Sequence, residues 1–202
     1  MSDFLGKLLT VDLTNREIEM AEFPEALARR FLGGRGINAT LLLEQVGPGT
    51  DPLGPENVLI LSCGLLTGTE APASSRLHLG ARSPLTGLLG SSNVGGHFGA
   101  ELRAAGFQSV LIRGRAARPA VLWLHGGQAE IRDAGDLWGQ DAWATQDHLR
   151  ETLGEARAKI MAIGPGGENG VRYACIMTGR GHAAGRTGLG AVMGAKNLKA
   201  IA

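Results

Sequence analysis

The sequence predicts an α+β fold: a duplicated pseudo-two-fold unit of two intertwined β-sheets with short flanking helices. Three observations predict it. Apolar runs of strand length alternate with segments of helical periodicity. Glycine is abundant, 32 in 202 residues against roughly 7% in average proteins, and clusters at the ends of the apolar runs. The order of elements in the first half is met again in the second, which divides the chain into repeats of about 1–107 and 108–202.

The first repeat opens on a hairpin. Lys7–Leu13 alternates, Thr14-Asn15-Arg16 turns the chain, and Glu17–Met20 returns. Pro24 starts a helix over Glu25–Leu32 that stops at Gly33-Gly34, and a second helix covers Ile37–Gln45. Pro48, Pro52 and Pro55 stiffen a loop before the buried strand Val58–Cys63. A glycine loop, Asn93–Gly99, leads into a helix over Ala100–Ala105 and a strand at Val110–Ile112.

In the second half, Ala120–His125 reads as a strand, Gly126-Gly127 as a turn and Ala129–Arg132 as the return. A helix runs from Asp141, its N-cap, to Leu153, with Gly154 as its stop. Strand Lys159–Ile163 enters the loop Gly164-Pro165-Gly166-Gly167. A last glycine loop, Gly185–Gly190, precedes a helix over Ala191–Lys196 and a strand over Leu198–Ala202. Leu8–Leu13 then pairs with Ala120–His125, and Val58–Gly64 with Lys159–Gly164. A pseudo-dyad would bring the two late glycine loops to one axis, where a two-lobed ligand could sit. An ordinary α/β protein alternates similar elements without duplication.

The composition excludes several classes. Twenty basic and 19 acidic side chains leave a net charge of +1, without the basic footprint of a nucleic-acid module. No apolar run reaches the roughly 18 residues that span a bilayer, and the N-terminal residues carry no secretory pattern, so a cytoplasmic location is expected. Cys63 and Cys175 are too few for a disulfide scaffold or a thiolate cluster; both lie in strand-like runs and read as small buried hydrophobes. His78, His97, His125, His148 and His182 lack paired metal-ligand spacing. The carboxylate pairs Asp133/Asp136 and Glu17/Glu19 read as solvated surface charges. No complete catalytic constellation is present.

What remains is anion chemistry. Successive amides of a glycine-rich turn make an anion-binding concavity, and Arg76, Arg82 and Arg186 lie in or beside these loops. The neutral carbonyl oxygen of Asn93 suits a hard cation such as Mg²⁺, especially one already bridged by phosphates. For any one arginine taken alone, a solvated surface charge is the simpler reading. Gly188–Gly194 matches a G-x-G-x-x-x-G variant of the dinucleotide loop, but the acidic residue required about 20 positions on does not follow before Ala202. The Walker pattern fails because Ala195 separates Gly194 from Lys196.

Seven segments, in register over the whole chain, carry a family resemblance. They are FLGGRG at 31–36, DPLGPEN at 51–57, GLLTGT at 64–69, SPLTG at 83–87, NVGGHFG at 93–99, IGPGGEN at 163–169 and AAGRTGLGAVMGAKNLKA at 183–200. Together they resemble the N-terminal domain of the tungsten-containing aldehyde:ferredoxin oxidoreductases. The resemblance implies a duplicated α+β base carrying a bis-molybdopterin cofactor with tungsten or molybdenum. It implies that Arg76, Asn93, Gly95, Ala183, Gly185 and Arg186 touch the pterin phosphates, and that the Asn93 side chain and the Ala183 carbonyl hold a Mg²⁺ between them. His182 stands where the family usually has an arginine, so either that arginine is replaced or one residue is deleted.

The same resemblance places the cysteines of a [4Fe–4S] cluster in later domains. It names those C-terminal domains, ferredoxin and an aldehyde as partners, and predicts an inactive isolated chain. The alternative is a stand-alone pterin-phosphate-binding module or assembly subunit without turnover. Missing domains predict exposure of Leu88, Leu89 and Phe98, mobile loops or a homodimer, and proximity of residues 88–99 to 180–190.

Overall fold

Strands form where β-branched and leucine-rich runs can bury both faces. A computed structural model describes residues 5–202. Twelve strands and six α-helices are described. The first sheet holds β1 (Lys7–Asp12), β2 (Glu17–Glu22), β3 (Leu59–Cys63), β4 (Leu77–Arg82), β5 (Leu89–Val94) and β6 (Phe107–Arg113). The second holds β7 (Ala120–His125), β8 (Gln128–Asp133), β9 (Met161–Ala162), β10 (Ile176–Thr178), β11 (His182–Ala184) and β12 (Leu198–Ile201). The helices are α1 (Glu25–Phe31), α2 (Gly34–Gln45), α3 (Phe98–Ala104), α4 (Ala142–Leu153), α5 (Pro165–Glu168) and α6 (Leu189–Ala195).

The strand order is β2-β1-β6-β3-β4-β5 in one sheet and β8-β7-β12-β9-β10-β11 in the other. The second is the first with six added to every number. In each sheet one pair is parallel, β1 with β6 and β7 with β12, and the rest are antiparallel. Even the irregularity is copied. Gln108 is the extra residue where β6 passes β1, and Lys199 the extra residue where β12 passes β7. A bulge leaves one residue outside the ladder. Both bulged side chains are fully buried and polar. Gln108 Nε2 donates to Cys63 O at 2.6 Å, whereas Lys199 Nζ meets Glu168 Oε1 at 2.5 Å and Gln140 O at 2.7 Å.

This register makes two corrections. Lys7 and Ala120 occupy equivalent places, so Lys7–Asp12, not Leu8–Leu13, matches Ala120–His125. β6 belongs to the first sheet, so the second sheet begins at Ala120 rather than near residue 108. The sheets exchange no strand; they interlock through a shared core.

That core follows from alternation. Leu59, Leu61 and Cys63 of β3, Leu122 and Leu124 of β7, and Met161 of β9 meet in one buried cluster, joined by Phe98 and Leu102 of α3 and by Leu189, Val192 and Met193 of α6. The intervening residues face outward. Ile60 and Leu111 pack under α1 and α2, and Val121, Ala162 and Ala200 pack under α4. Two-sided burial explains the continuous apolar runs, and each fully buried large apolar side chain contributes on the order of 1.5–3 kcal/mol. Helix α4 is capped as its sequence predicts: Asp141 accepts from Trp143 N and Ala144 N, and Gly154 closes it at φ 66°.

Some boundaries differ from expectation. Gly34 begins α2 instead of ending α1, with Gly33 as N-cap. Pro165 starts the short helix α5 where a loop is predicted, because its fixed φ suits the first helical position. Cys63 is buried as expected; its Sγ donates to Gly99 O at 3.4 Å, and burial pushes the thiol up to about 12. Cys175 lies just before β10 and is half-buried. The four carboxylates Glu17, Glu19, Asp133 and Asp136 are exposed, as read from the sequence. Among the described residues no helix is long and apolar enough to cross a membrane.

The dinucleotide-like run is a packing device. A Cβ on Gly194 would lie 2.0 Å from Gly167 O, and one on Gly190 would lie 2.5 Å from Cys175 O. Helix α6 therefore presses backbone to backbone on α5 and on the loop before β10. Gly194→Ala should destabilise the chain by about 1–3 kcal/mol or more in urea denaturation; an unchanged midpoint would contradict this packing. Lys196, buried and donating to Pro55 O, Asn57 O and Gly114 O, is pulled down to about 8 by burial, against opposing pulls from Glu56 and Asp12. Its folded value lies below its unfolded one, so the unfolded chain binds more protons between about 8 and 10.5. Stability should then rise with pH across that window, by about 3 kcal/mol relative to Lys196→Met. Parallel pH profiles of wild type and variant would refute it.

Candidate functional site

The site assembles at the matching edges of the two sheets. Arg76 precedes β4, His78 lies on β4, and Asn93 lies directly opposite on edge strand β5. Arg76 Nη1 donates to Asn93 Oδ1 at 2.9 Å, and Asn93 Nδ2 meets His78 Nδ1 at 3.1 Å. Burial, helped by the nearby Arg35 charge, holds His78 below the usual imidazole range. Asn93 is thus a strand residue, not part of the glycine loop. Strand propensity is weak through Gly90-Ser91-Ser92, so pairing with β4 decides its conformation.

Edge strand β11 of the second sheet carries His182 and Ala183, followed by Gly185 and Arg186. The two edges touch. A Cβ on Gly96 would lie 2.9 Å from His182 Cδ2, and one on Gly95 would lie 3.6 Å from His182 Nδ1. Arg186 N donates to Ser92 Oγ at 3.1 Å, and Ser83 Oγ donates to Thr187 O at 2.8 Å. All seven residues singled out from the sequence therefore gather in one region: Arg76, Asn93, Gly95, His182, Ala183, Gly185 and Arg186. Arg82 does not join them; its Nη1 donates to Gly47 O and to Pro48 O and ties down that loop.

Register makes the gathering symmetric. Leu77 pairs with Val94 and His78 with Asn93, while Ile176 pairs with Ala184 and Met177 with Ala183. Asn93 and Ala183 hold equivalent places, as do Gly95 and Gly185, His78 and Met177, and Arg76 and Cys175. No local pattern signals the partnership of His78 with Asn93, because neither β4 nor β5 is legible as a strand.

The residues fit an anionic ligand laid against bare backbone. Gly181 would meet nothing within 4 Å if it carried a Cβ, Gly185 only Ala183 Cβ at 3.9 Å, and Gly95 only ordinary contact distances. None of the three has a positive φ, so the fold itself does not require glycine there. Arg76 and Arg186 stand exposed beside them. Among the described residues no group of three His, Cys, Asp or Glu side chains is placed to hold a metal, so a hard cation here would rely on neutral oxygens and on the ligand's own.

The adjoining hairpin tip is apolar and exposed. Leu85, Leu88 and Leu89 are 53%, 71% and 47% exposed, on a turn fixed by Ser83 Oγ accepting from Leu85 N and Thr86 N. Phe98 breaks the expectation: it is 4% exposed, because it opens α3 into the shared core. A separate hollow of about 670 Å³ lies between α3, β7 and the end of α4, lined by Phe98, Trp123 and His125. It contains none of the seven site residues.

Comparison with known proteins defines the class. The family described as aldehyde ferredoxin oxidoreductase, N-terminal domain, matches residues 8–202. The chain belongs to that family. It is 45% identical over 197 residues to a tungsten-containing aldehyde ferredoxin oxidoreductase of Pyrococcus furiosus, covering 98% of this chain and 33% of the relative. It is 39% identical over 216 residues to the WOR-like subunit of an aliphatic sulfonate oxidoreductase from the same organism, covering 100% of this chain and 34% of the relative. Among solved structures, the active site complex BamBC of benzoyl coenzyme A reductase, in complex with 1,5-dienoyl-CoA, matches with a TM-score of 0.95 and 41% identity. That match covers 98% of this chain and 30% of the other. The chain thus spans about a third of the length of the relatives it matches.

The contact between the two edges is testable. Gly96, at φ 85°, cannot gain a Cβ without displacing the His182 ring. Gly96→Ala should lower the denaturation midpoint, and His182→Ala in the same chain should recover part of the loss. Additive effects of the two changes would show that the edges do not meet.

Proposed function

We propose that this chain is the cofactor-bearing base of a tungsten bis-molybdopterin oxidoreductase that oxidises aldehydes to carboxylates and delivers the electrons to ferredoxin. The observation that carries this reading is the meeting of two equivalent edge strands, each with bare glycine backbone, beside exposed Arg76 and Arg186. A two-lobed anion matches two equivalent cradles. When bound, the tungsten–dithiolene group supplies the two-electron oxidation, with water as the source of the added oxygen.

The chain's own residues bind and orient. Arg76 and Arg186 would neutralise the phosphates, and the backbone N–H groups along Gly95 and Gly185 would donate to the phosphate oxygens with no side chain intervening. Asn93 and Ala183, residues in equivalent register positions, would supply neutral oxygens, the Asn93 side chain and the Ala183 carbonyl, to a Mg²⁺ bound with the phosphates. His182 packs on Gly95-Gly96 and supports that loop. Molybdenum in place of tungsten would use the same protein contacts. No general acid or base of the reaction is assigned to this chain. The exposed leucines at 85, 88 and 89 would be covered by later domains, which would also bring the [4Fe–4S] cluster and the ferredoxin surface, in a cytoplasmic setting.

In the intact protein, Arg186→Ala and Asn93→Ala should each lower tungsten and pterin recovered per chain several-fold, while circular dichroism stays native. Unchanged cofactor content in both would overturn the assignment. The 202-residue chain alone should show no aldehyde-dependent dye reduction, and turnover by it would refute the base-only role.

A further inference from the structure

We infer that Ser83 and Ser92 are positioning residues that hold the Arg186-Thr187 turn in a strained conformation, so that the Arg186 guanidinium is presented to the cofactor's phosphate. The inference rests on the cofactor reading above. It goes beyond it by giving the first sheet the task of orienting a cation carried by the second.

Thr187 stands at φ 61°, in the left-handed region that a β-branched side chain strongly disfavours. Gly188 follows at φ 72°, so two successive residues are left-handed. Such a conformation persists only where the surroundings over-determine it, and it recurs at ligand clamps. Two serines of the first sheet supply the determination. Ser92 on β5, 1% exposed, accepts from Arg186 N at 3.1 Å. Ser83, fully buried just after β4, donates to Thr187 O at 2.8 Å. That direction is forced. The same Oγ accepts from Leu85 N and Thr86 N, and a hydroxyl has one proton to give. Thr187 Oγ1 closes the set by donating to Arg186 O at 2.7 Å. The turn has no room to relax toward α6, since a Cβ on Gly188 would lie 1.9 Å from Arg172 O. The main chain of Arg186 and Thr187 is therefore fixed from both sides, while the Arg186 side chain stays exposed.

Duplication supplies an internal control. Gly95 and Gly185 hold equivalent places, and α3 and α6 begin at Phe98 and Leu189. Gly96 and His97 bridge the gap in the first copy, whereas Arg186, Thr187 and Gly188 bridge it in the second, which is one residue longer. In the shorter turn the positive φ falls on Gly96, and His97 sits at φ −97°. The fold thus closes this edge-to-helix turn without a strained side chain. The added residue and the strain occur together, in the copy that carries the arginine.

The test uses the intact cofactor-loaded protein. It reads tungsten and pterin released into cofactor-free buffer as KCl is raised, with urea denaturation of each variant alongside. Arg186→Ala sets the reference: faster release, with a shallower dependence on salt because one screened charge is gone. Ser83→Ala, Ser92→Ala and Thr187→Gly should each release at least about five-fold faster than wild type at low salt and share that shallower dependence. Thr187→Gly also relieves the strain, so its urea midpoint should stay at or above wild type, which separates lost orientation from lost stability. Thr187→Ser keeps the hydroxyl and should release within about two-fold of wild type. In an Arg186→Ala background none of these changes should add to release. Wild-type release in both serine variants, wild-type release or a lowered midpoint in Thr187→Gly, Thr187→Ser behaving like Thr187→Gly, or additivity with Arg186→Ala would overturn the inference while leaving the cofactor reading in place. Wild-type release in Arg186→Ala itself would instead overturn the phosphate contact and this inference with it.

Discussion

The structure depends on one packing constraint: two sheets of identical topology bury their inner faces against each other. Each sheet has one edge at its fifth strand, and each has its outer face closed by helices. Once Leu59, Leu61, Leu122 and Met161 share a core with α3 and α6, the equivalent edges β5 and β11 are brought side by side. Edge strands present unpaired backbone groups and are usually blunted or covered. Here they meet, Arg186 N donating to Ser92 Oγ, so each edge is partly covered by the other.

Glycine serves two separate purposes in this arrangement. Along α6 it removes side chains so that helix and loop backbones can touch, as the near-clash at Gly194 shows. At Gly181 and Gly185 nothing presses on the backbone, and the omission of a side chain serves space outside the chain. The sequence pattern that imitates a dinucleotide loop belongs to the first kind. Composition alone cannot separate the two, because both read as excess glycine.

Duplication preserved geometry but not chemistry. The bulge between first and sixth strands recurs, yet its buried polar residue is neutral Gln108 in one copy and charged Lys199 in the other. The second choice obliges Glu168 to be buried as a partner, its two oxygens also accepting from Gly139 N. A buried ion pair is costly to form and costlier to break. The edge shows the same divergence, with Arg76, His78 and Asn93 in one copy and Cys175, Met177 and Ala183 in the other.

The α+β class, the duplication, the buried central strands and the capped helix α4 are legible in the chain's own pattern, while the seven residues that gather at the site come from its family resemblance. Each is local or periodic, a matter of two-sided burial, glycine and proline stops, or a short motif. Strands β4 and β5 are not legible, since Gly80, Gly90, Ser91 and Ser92 carry little strand propensity and take their conformation from hydrogen bonds to neighbours. The one-residue shift between repeats was hidden for a related reason, because a bulge has no signature in the side-chain pattern. Long-range packing alone brings His78 opposite Asn93, Gly96 against His182, and Phe98 inward. Those relations join residues between 15 and 86 positions apart, and cross-strand register and sheet packing, not local preference, set them.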